Sequence, residues 1–368
     1  MNQEIGKSVE RDTHQDVRFC TTSDGARIAF ASAGRGPPLV RVASWLTHLE
    51  LDWHSGACRH WLRALAASHT LVRFDVRGSG LSERRTDRLS LDACVADLKA
   101  VVDAAGLERF PVLGVSQGGA IAVAFAARYP ERVSRLVLFG SVAKGAFTPG
   151  APDGLRRDAE VLERMIEVGW SEGSPALRVA FARLFVPGAA HEVALELSAL
   201  QRLAADADGA KLLWRAFHAF DVTGAAKRVR CPTLVAHVDE DSVVPLEHGR
   251  ELARLIPAAR LLTLEGRNHL ILEDEPAWNV FLRALRGFLG DVGPSAFPDL
   301  TAREREVLDL IARGFDNGTI TRLLERSPKT VRNHITSIFS KLGADHRAQA
   351  IVMAREAGFG RGELRPAA

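Results

Sequence analysis

From about Val17 to Val142 short apolar runs alternate with longer helical stretches, and this alternation constrains the fold more than any other feature of the chain. Strands are expected at 27–31, 39–42, 71–75, 111–115 and 135–139, with helices such as 90–105 and 117–128 between them. Such a rhythm specifies an α/β domain with a mostly parallel sheet and helices on both faces. Residues 144–227 break it: they read as helical, are rich in Ala and Leu, and carry Trp170 and Trp214. The rhythm resumes with a strand at 232–238, a helix at 247–255, a strand at 260–264 and a helix at 276–289. An insertion of this kind usually covers the carboxyl edge of the strands, where open α/β sheets bind ligands.

The run GDVGPSAFP, residues 290–298, has the Gly and Pro content of a linker. Beyond it the pattern is all helical, with breaks at Gly314, Ser327-Pro328 and Gly343. A chain of 368 residues exceeds what one core usually serves, so a large and a small domain are expected. The expected organisation is an N-terminal extension (1–16), an α/β domain (17–290), a linker (291–297), a small four-helix domain (298–362) and a tail (363–368). Within the α/β domain the core is 17–143 and 228–290, and the helical cap is 144–227.

A net charge of +3 gives no large basic field, so a nucleic-acid surface must be a local patch. Cys20, Cys58, Cys94 and Cys231 are scattered, with no pairing motif and no His cluster at metal-ligand spacing. That fits reduced thiols, and neither a metal nor a cofactor is expected. The charged N-terminus lacks the apolar core of a signal peptide, and no run approaches the 18 or more apolar residues of a membrane span. A cytoplasmic protein with no membrane partner is expected.

Gly114-Val115-Ser116-Gln117-Gly118 follows an apolar strand and opens an Ala-rich helix, the setting a nucleophile elbow requires. Side chains two residues either side of Ser116 would clash with the neighbouring strand and helix. Asp241 lies just past the strand ending at Val238, and His269 just past the one ending at Leu264. Ser, Asp and His in that chain order, each after a strand, form a candidate nucleophile, orienter and general base. A loop histidine taken alone is more often a surface residue; the joint placement of the three carries the reading.

With Phe74-Asp75-Val76-Arg77-Gly78-Ser79-Gly80-Leu81-Ser82, which matches a D-x-R-G-x-G-x-S turn, residues 17–290 resemble the α/β-hydrolase superfamily. The resemblance implies an α/β-hydrolase fold with a helical cap, Ser116 as nucleophile, His269 as base and Asp241 as its orienter. The family's His-Gly pair after the third strand is replaced by Ala43-Ser44-Trp45-Leu46. The backbone N–H of Trp45 beside that of Gln117 is then the expected oxyanion pair, on a turn restricted by the loss of glycine. Trp45, Trp53, Trp170 and Trp214 fall in segments bordering one pocket, so an apolar, aromatic-lined ligand site is expected, with ordinary core packing as the competing reading.

In the tail, Thr301 with Glu304 is a capping-box signature, residues 317–324 form a short helix, and Ser327-Pro328 starts a longer one. Val331, Ile335, Ile338 and Leu342 make its buried stripe, while Lys329, Thr330, Arg332, Asn333 and Lys341 lie on a face without acidic residues. A solvated interaction helix shares that pattern; a helix-turn-helix meeting double-stranded DNA explains it more fully, with Lys and Arg on phosphates and Thr330 and Asn333 toward bases. Residues 300–358 resemble the LuxR-type helix-turn-helix domain through Leu300-Thr301, Arg303-Glu304, Glu306-Val307-Leu308, Lys329-Thr330-Val331, Asn333-His334 and Lys341-Leu342-Gly343. The resemblance implies a four-helix, DNA-binding homodimer whose last helix, near 345–357, makes the dimer contact.

Three readings follow. The α/β domain senses an apolar or ester-like small molecule and controls the DNA-binding tail; or it is an active serine hydrolase of esters, lactones or thioesters that processes its signal; or it is only a dimerisation scaffold.

Overall fold

The computed structural model describes residues 15–42, 44–84, 89–170, 175–257, 259–290, 297, 300–357 and 359–360. They fall into two compact units, Met1–Leu282 and Arg283–Ala368. The expected extension, linker and tail lie outside the described residues except for Gln15, Asp16 and Phe297.

The first unit is built on an eight-stranded sheet: β1 (Gln15–Thr21), β2 (Arg27–Ala33), β3 (Pro38–Val42), β4 (Thr70–Phe74), β5 (Phe110–Val115), β6 (Val133–Phe139), β7 (Thr233–Val238) and β8 (Ala259–Leu264). Its order is β1-β2-β4-β3-β5-β6-β7-β8. From β4 through β3 and β5 to β8 the pairing is parallel, while β1 with β2 and β2 with β4 run antiparallel. β1 went unread in the sequence because QDVRFCT alternates exposed and half-buried positions and forms no apolar run. β7, by contrast, is buried at every position, as a strand covered on both faces must be.

The crossover helices are α1 (Arg59–Ala66), α2 (Leu91–Ala104), α3 (Gly118–Arg128), α9 (Leu246–Leu255) and α10 (Pro276–Leu289). Ser90 caps α2 by accepting from the Ala93 N–H at 3.1 Å. α3 is buried continuously from Gly118 to Ala126, and its Gly and Ala residues let it lie close against β5. Between β6 and β7 come α4 (Asp153–Gly169), α5 (Pro175–Phe185), α6 (His191–Ala204), α7 (Ala207–His218) and α8 (Thr223–Ala226), where the cap was expected. The division between the two units falls inside α10 rather than at residue 290.

The second unit holds α11 (Ala302–Ala312), α12 (Asn317–Leu323), α13 (Pro328–Leu342) and α14 (Arg347–Glu356). Thr301 and Glu304 close the capping box in both directions, Ser327 caps α13, and Gly343 ends it at φ +66°. Val307, Leu308, Ile311, Ile320, Val331, Ile335, Ile338 and Leu342 form its core. Each such side chain contributes about 1.5–3 kcal/mol on burial, set against the conformational entropy of ordering the helices.

Candidate functional site

β5 ends at Val115 and α3 begins at Gly118, so Ser116 and Gln117 make the whole turn between them. Ser116 takes φ +53°, left-handed backbone that costs a residue with a Cβ about 1–2 kcal/mol. The turn is possible because Gly114 lets α3 approach: a Cβ there would stand 2.8 Å from the Gly119 Cα and 2.9 Å from the Ala122 Cβ. The other close approach is at Gly119, where a Cβ would collide with Ser141, one residue beyond the glycine expected to matter.

The three strand ends bring Ser116, His269 and Asp241 together. His269 Nε2 lies 2.8 Å from Ser116 Oγ, and its Nδ1 lies 2.6 Å from Asp241 Oδ2. All three are buried. Asp241 Oδ1 accepts from the N–H groups of Val243 and Val244, each at 2.9 Å. Burial works against its charge, but His269 and the two N–H groups outweigh that and hold the carboxyl below its usual range. An ionised Asp241 fixes the imidazole with Nδ1 as donor and leaves Nε2 to receive the Ser116 proton. The Ser116 hydroxyl also reaches the Gln117 side chain, donating to Oε1 at 2.7 Å. One proton therefore faces two acceptors.

His237 lies behind the carboxylate, its Nε2 donating to the Val244 carbonyl at 2.7 Å and standing 3.9 Å from Asp241 Oδ2. Burial lowers its pKa and keeps it neutral. Nothing in the sequence singled it out, since a histidine inside an apolar strand reads as core.

Asp75 organises the loop expected to carry the oxyanion donor. It accepts from Thr47 Oγ1 at 2.9 Å, from the Leu49 N–H at 3.1 Å and from the Leu81 N–H at 2.9 Å. Gly80, at φ +57°, passes so close that any Cβ would collide with this carboxylate, which accounts for the second glycine of the turn motif. Burial, aided by the nearby Asp52 charge, pushes Asp75 up to about 7. The expected strain of the glycine-free loop falls on Leu46, at φ +51°.

Two cavities meet at Ser116 and Gln117. The larger, about 80 Å³, is lined by Leu155, Leu162, Trp214 and Phe217, with Lys144, Asp158, His218 and His248 among its polar members. His218 packs tilted against Trp214, ring centroids 4.0 Å apart, and burial brings its pKa down to about 4. The smaller, about 30 Å³, lies beside Trp45, Thr47 and His269.

The expected four-tryptophan pocket needs correcting. Trp45 reaches into the cap, with ring centroids 5.8 Å from Trp170, 5.5 Å from Trp214 and 5.3 Å from Phe181, and its Nε1 donates to the Ala210 carbonyl at 3.2 Å. Trp45 and Trp214 each line one cavity, while Trp170 packs in the cluster. Trp53 lines neither: its Nε1 donates to Gln15 Oε1 at 2.7 Å and its ring lies under Arg73. β1, missed in the sequence, supplies the partner that draws it away.

On α13, Lys329, Arg332 and Asn333 are exposed and share the polar face. Thr330 is half-buried, its Oγ1 2.8 Å from Ser327 Oγ in the helix cap. Lys341, also expected to meet phosphate, pairs with Glu304. Its ammonium lies 3.0 and 2.8 Å from the two carboxylate oxygens of Glu304, which also accepts from Ser337 Oγ at 2.6 Å. Glu304 was legible only as a capping residue; its second role depends on α11 and α13 packing together.

Comparison with known proteins agrees with both halves. Residues 37–276 match the family model described as alpha/beta hydrolase fold, and residues 298–354 that of bacterial regulatory proteins, luxR family. The chain is 28% identical over 281 residues to the pyrrolizixenacetamide deacetylase of Xenorhabdus hominickii, covering 72% of this chain and 95% of that protein. It is 26% identical over 255 residues to the AB hydrolase superfamily protein YisY of Bacillus subtilis, covering 68% and 91%. A hydrolase from Pseudomonas aeruginosa PA01, of known crystal structure, superposes with a TM-score of 0.61 at 28% identity, over 75% of this chain and 98% of that one. The chain belongs to the α/β-hydrolase fold family and carries a luxR-family helix-turn-helix domain after it.

Proposed function

We propose that this chain is a cytoplasmic, DNA-binding transcription regulator whose α/β-hydrolase domain receives a small apolar or ester-like molecule at Ser116. The observation that carries the reading is a nucleophile-type serine, hydrogen-bonded to His269 and opening onto two cavities, in a chain that also has a luxR-family domain. Lys329 and Arg332 neutralise phosphates, Asn333 reads a base edge, and a second copy of the chain supplies the other half-site. The hydrogen bonds of Ser116, His269 and Asp241 also favour a chemical capacity: Ser116 attacks a carbonyl as His269 takes its proton, with the N–H groups of Trp45 and Gln117 facing the oxyanion.

The test uses a fluorophosphonate to occupy Ser116 covalently in the full chain, followed by titration on DNA fragments selected by the unmodified protein. A change in DNA affinity of tenfold or more on complete modification is the expected result, equivalent to about 1.4 kcal/mol of coupling. Unchanged affinity on fully modified protein would reject the sensing role.

A further inference from the structure

The smaller cavity contains a charge that the fold leaves uncompensated. Arg41, on β3, is 5% exposed, and its Nε has no hydrogen-bond partner. Among the described residues no carboxylate lies within ion-pairing distance of its guanidinium. Its neighbour in register, Arg73, also has an unpartnered Nε but pairs with Asp52 at 2.7 Å, which Arg41 does not. Asp52 lines the same cavity, but its carboxylate is already engaged by Arg73, so Arg41 is left without a direct counter-charge. A buried cation without a partner is costly, and a bound anion is the natural remedy.

Across the cavity Gln201, on α6, is 4% exposed, and its Oε1 is likewise buried without a partner. Both unsatisfied atoms belong to side chains lining a space of about 30 Å³, enough for one or two waters or a carboxylate head. The same space is bordered by Ser116, Gln117 and His269.

We infer that Arg41 and Gln201 form a carboxylate subsite beside Ser116. A ligand with its carbonyl at Ser116 then places a longer apolar arm against Leu155, Leu162 and Phe217 in the larger cavity. A short arm ending in a carboxylate enters the smaller one, and a donor near that carboxylate meets Gln201 Oε1. An N-acyl amino acid has this order of groups: apolar chain, carbonyl, N–H, carboxylate. The inference deepens the ligand-site reading and rests on it.

The test measures binding of N-hexanoylglycine and of its neutral isostere N-hexanoylglycinamide to the full chain, in a Ser116→Ala background so that neither is consumed. Quenching of the Trp45 and Trp214 cluster gives the signal. The acid is expected to bind at least tenfold more tightly than the amide. Arg41→Met should abolish that preference while leaving amide affinity within threefold, and Gln201→Leu should weaken both ligands. Thermal unfolding adds an independent readout, because removing an unpaired buried cation should leave the midpoint of Arg41→Met unchanged or higher. Equal affinities for the two compounds, no binding of either, or a preference that survives Arg41→Met would each overturn the subsite. A Ser116 adduct with fluorophosphonate in the parent chain alongside such a result would leave the ligand-site reading standing; its absence would remove both.

Discussion

Glu304 and Lys341 join the first and third helices of the C-terminal domain, the ammonium 3.0 Å from one carboxylate oxygen and 2.8 Å from the other. Burial opposes the charge on Glu304, but Lys341, Ser337 and Thr301 outweigh it and bring its pKa to about 2. A carboxyl depressed on folding contributes stability that is complete above its unfolded pKa, near 4.5, and is lost as the pH falls toward about 2. Acid titration of domain unfolding should show this loss in the parent and not in Glu304→Gln. Lys341→Met should lower stability by about 1–3 kcal/mol yet leave the salt dependence of DNA binding unchanged. A salt slope reduced by one unit would return Lys341 to the DNA-contacting set.

Arg332 and Asn333 should separate affinity from specificity. Arg332→Ala is expected to weaken binding on every sequence and to reduce the counterion slope by about one. Asn333→Ala should cost about 1–3 kcal/mol, mainly on the preferred site. Gel-shift titrations on selected and scrambled fragments, at several salt concentrations, distinguish the two; retention of full binding by both variants would exclude this face.

Ser116 should react with a fluorophosphonate, and mass spectrometry should locate the adduct there. His269→Ala removes the proton acceptor 2.8 Å away and should slow labelling by about 10²–10⁴-fold. Gln117→Ala should instead accelerate it several-fold, because the competing acceptor at 2.7 Å is lost while the backbone N–H remains. Slower labelling of Gln117→Ala would mean that the side chain assists Ser116 rather than competing for its proton.

Asp75 predicts an opposite pH trend for the first unit. Its folded pKa, about 7, stands above its ordinary value of 3.8, so its ionisation opposes folding. The penalty is absent below about pH 4, grows through the interval, and is complete above about pH 7. Stability of the parent should decline across that window, measured by denaturant titration at fixed temperature. Asp75→Asn, which cannot ionise, should flatten the decline even though it loses one acceptor oxygen.

The parallel sheet, cap and triad were legible because each rests on local signals: apolar runs, a Gly-x-Ser-x-Gly turn, and polar residues placed just past strands. β1 was not, since a half-exposed edge strand has no apolar run, and with it went the partner of Trp53. Arg41, Gln201 and His237 sit in segments that read as core or cap, and their importance lies in the partners they lack or find across the fold. Lys341 shows the converse. It was expected on a basic face, and Glu304 reaches it from another helix, a contact that no spacing along the chain encodes.

Trp45 is anchored at both ends: its backbone belongs to the loop tied to Asp75 through Thr47 and Leu49, and its indole is clasped by Trp170, Phe181 and Trp214 of the cap. Raising the cap therefore means extracting an indole or dragging the loop along with it. Under the proposed oxyanion role of the Trp45 N–H, entry of a ligand beneath the cap and alignment of that donor would be a single event. One side chain thus latches the cap to the loop of the sheet layer.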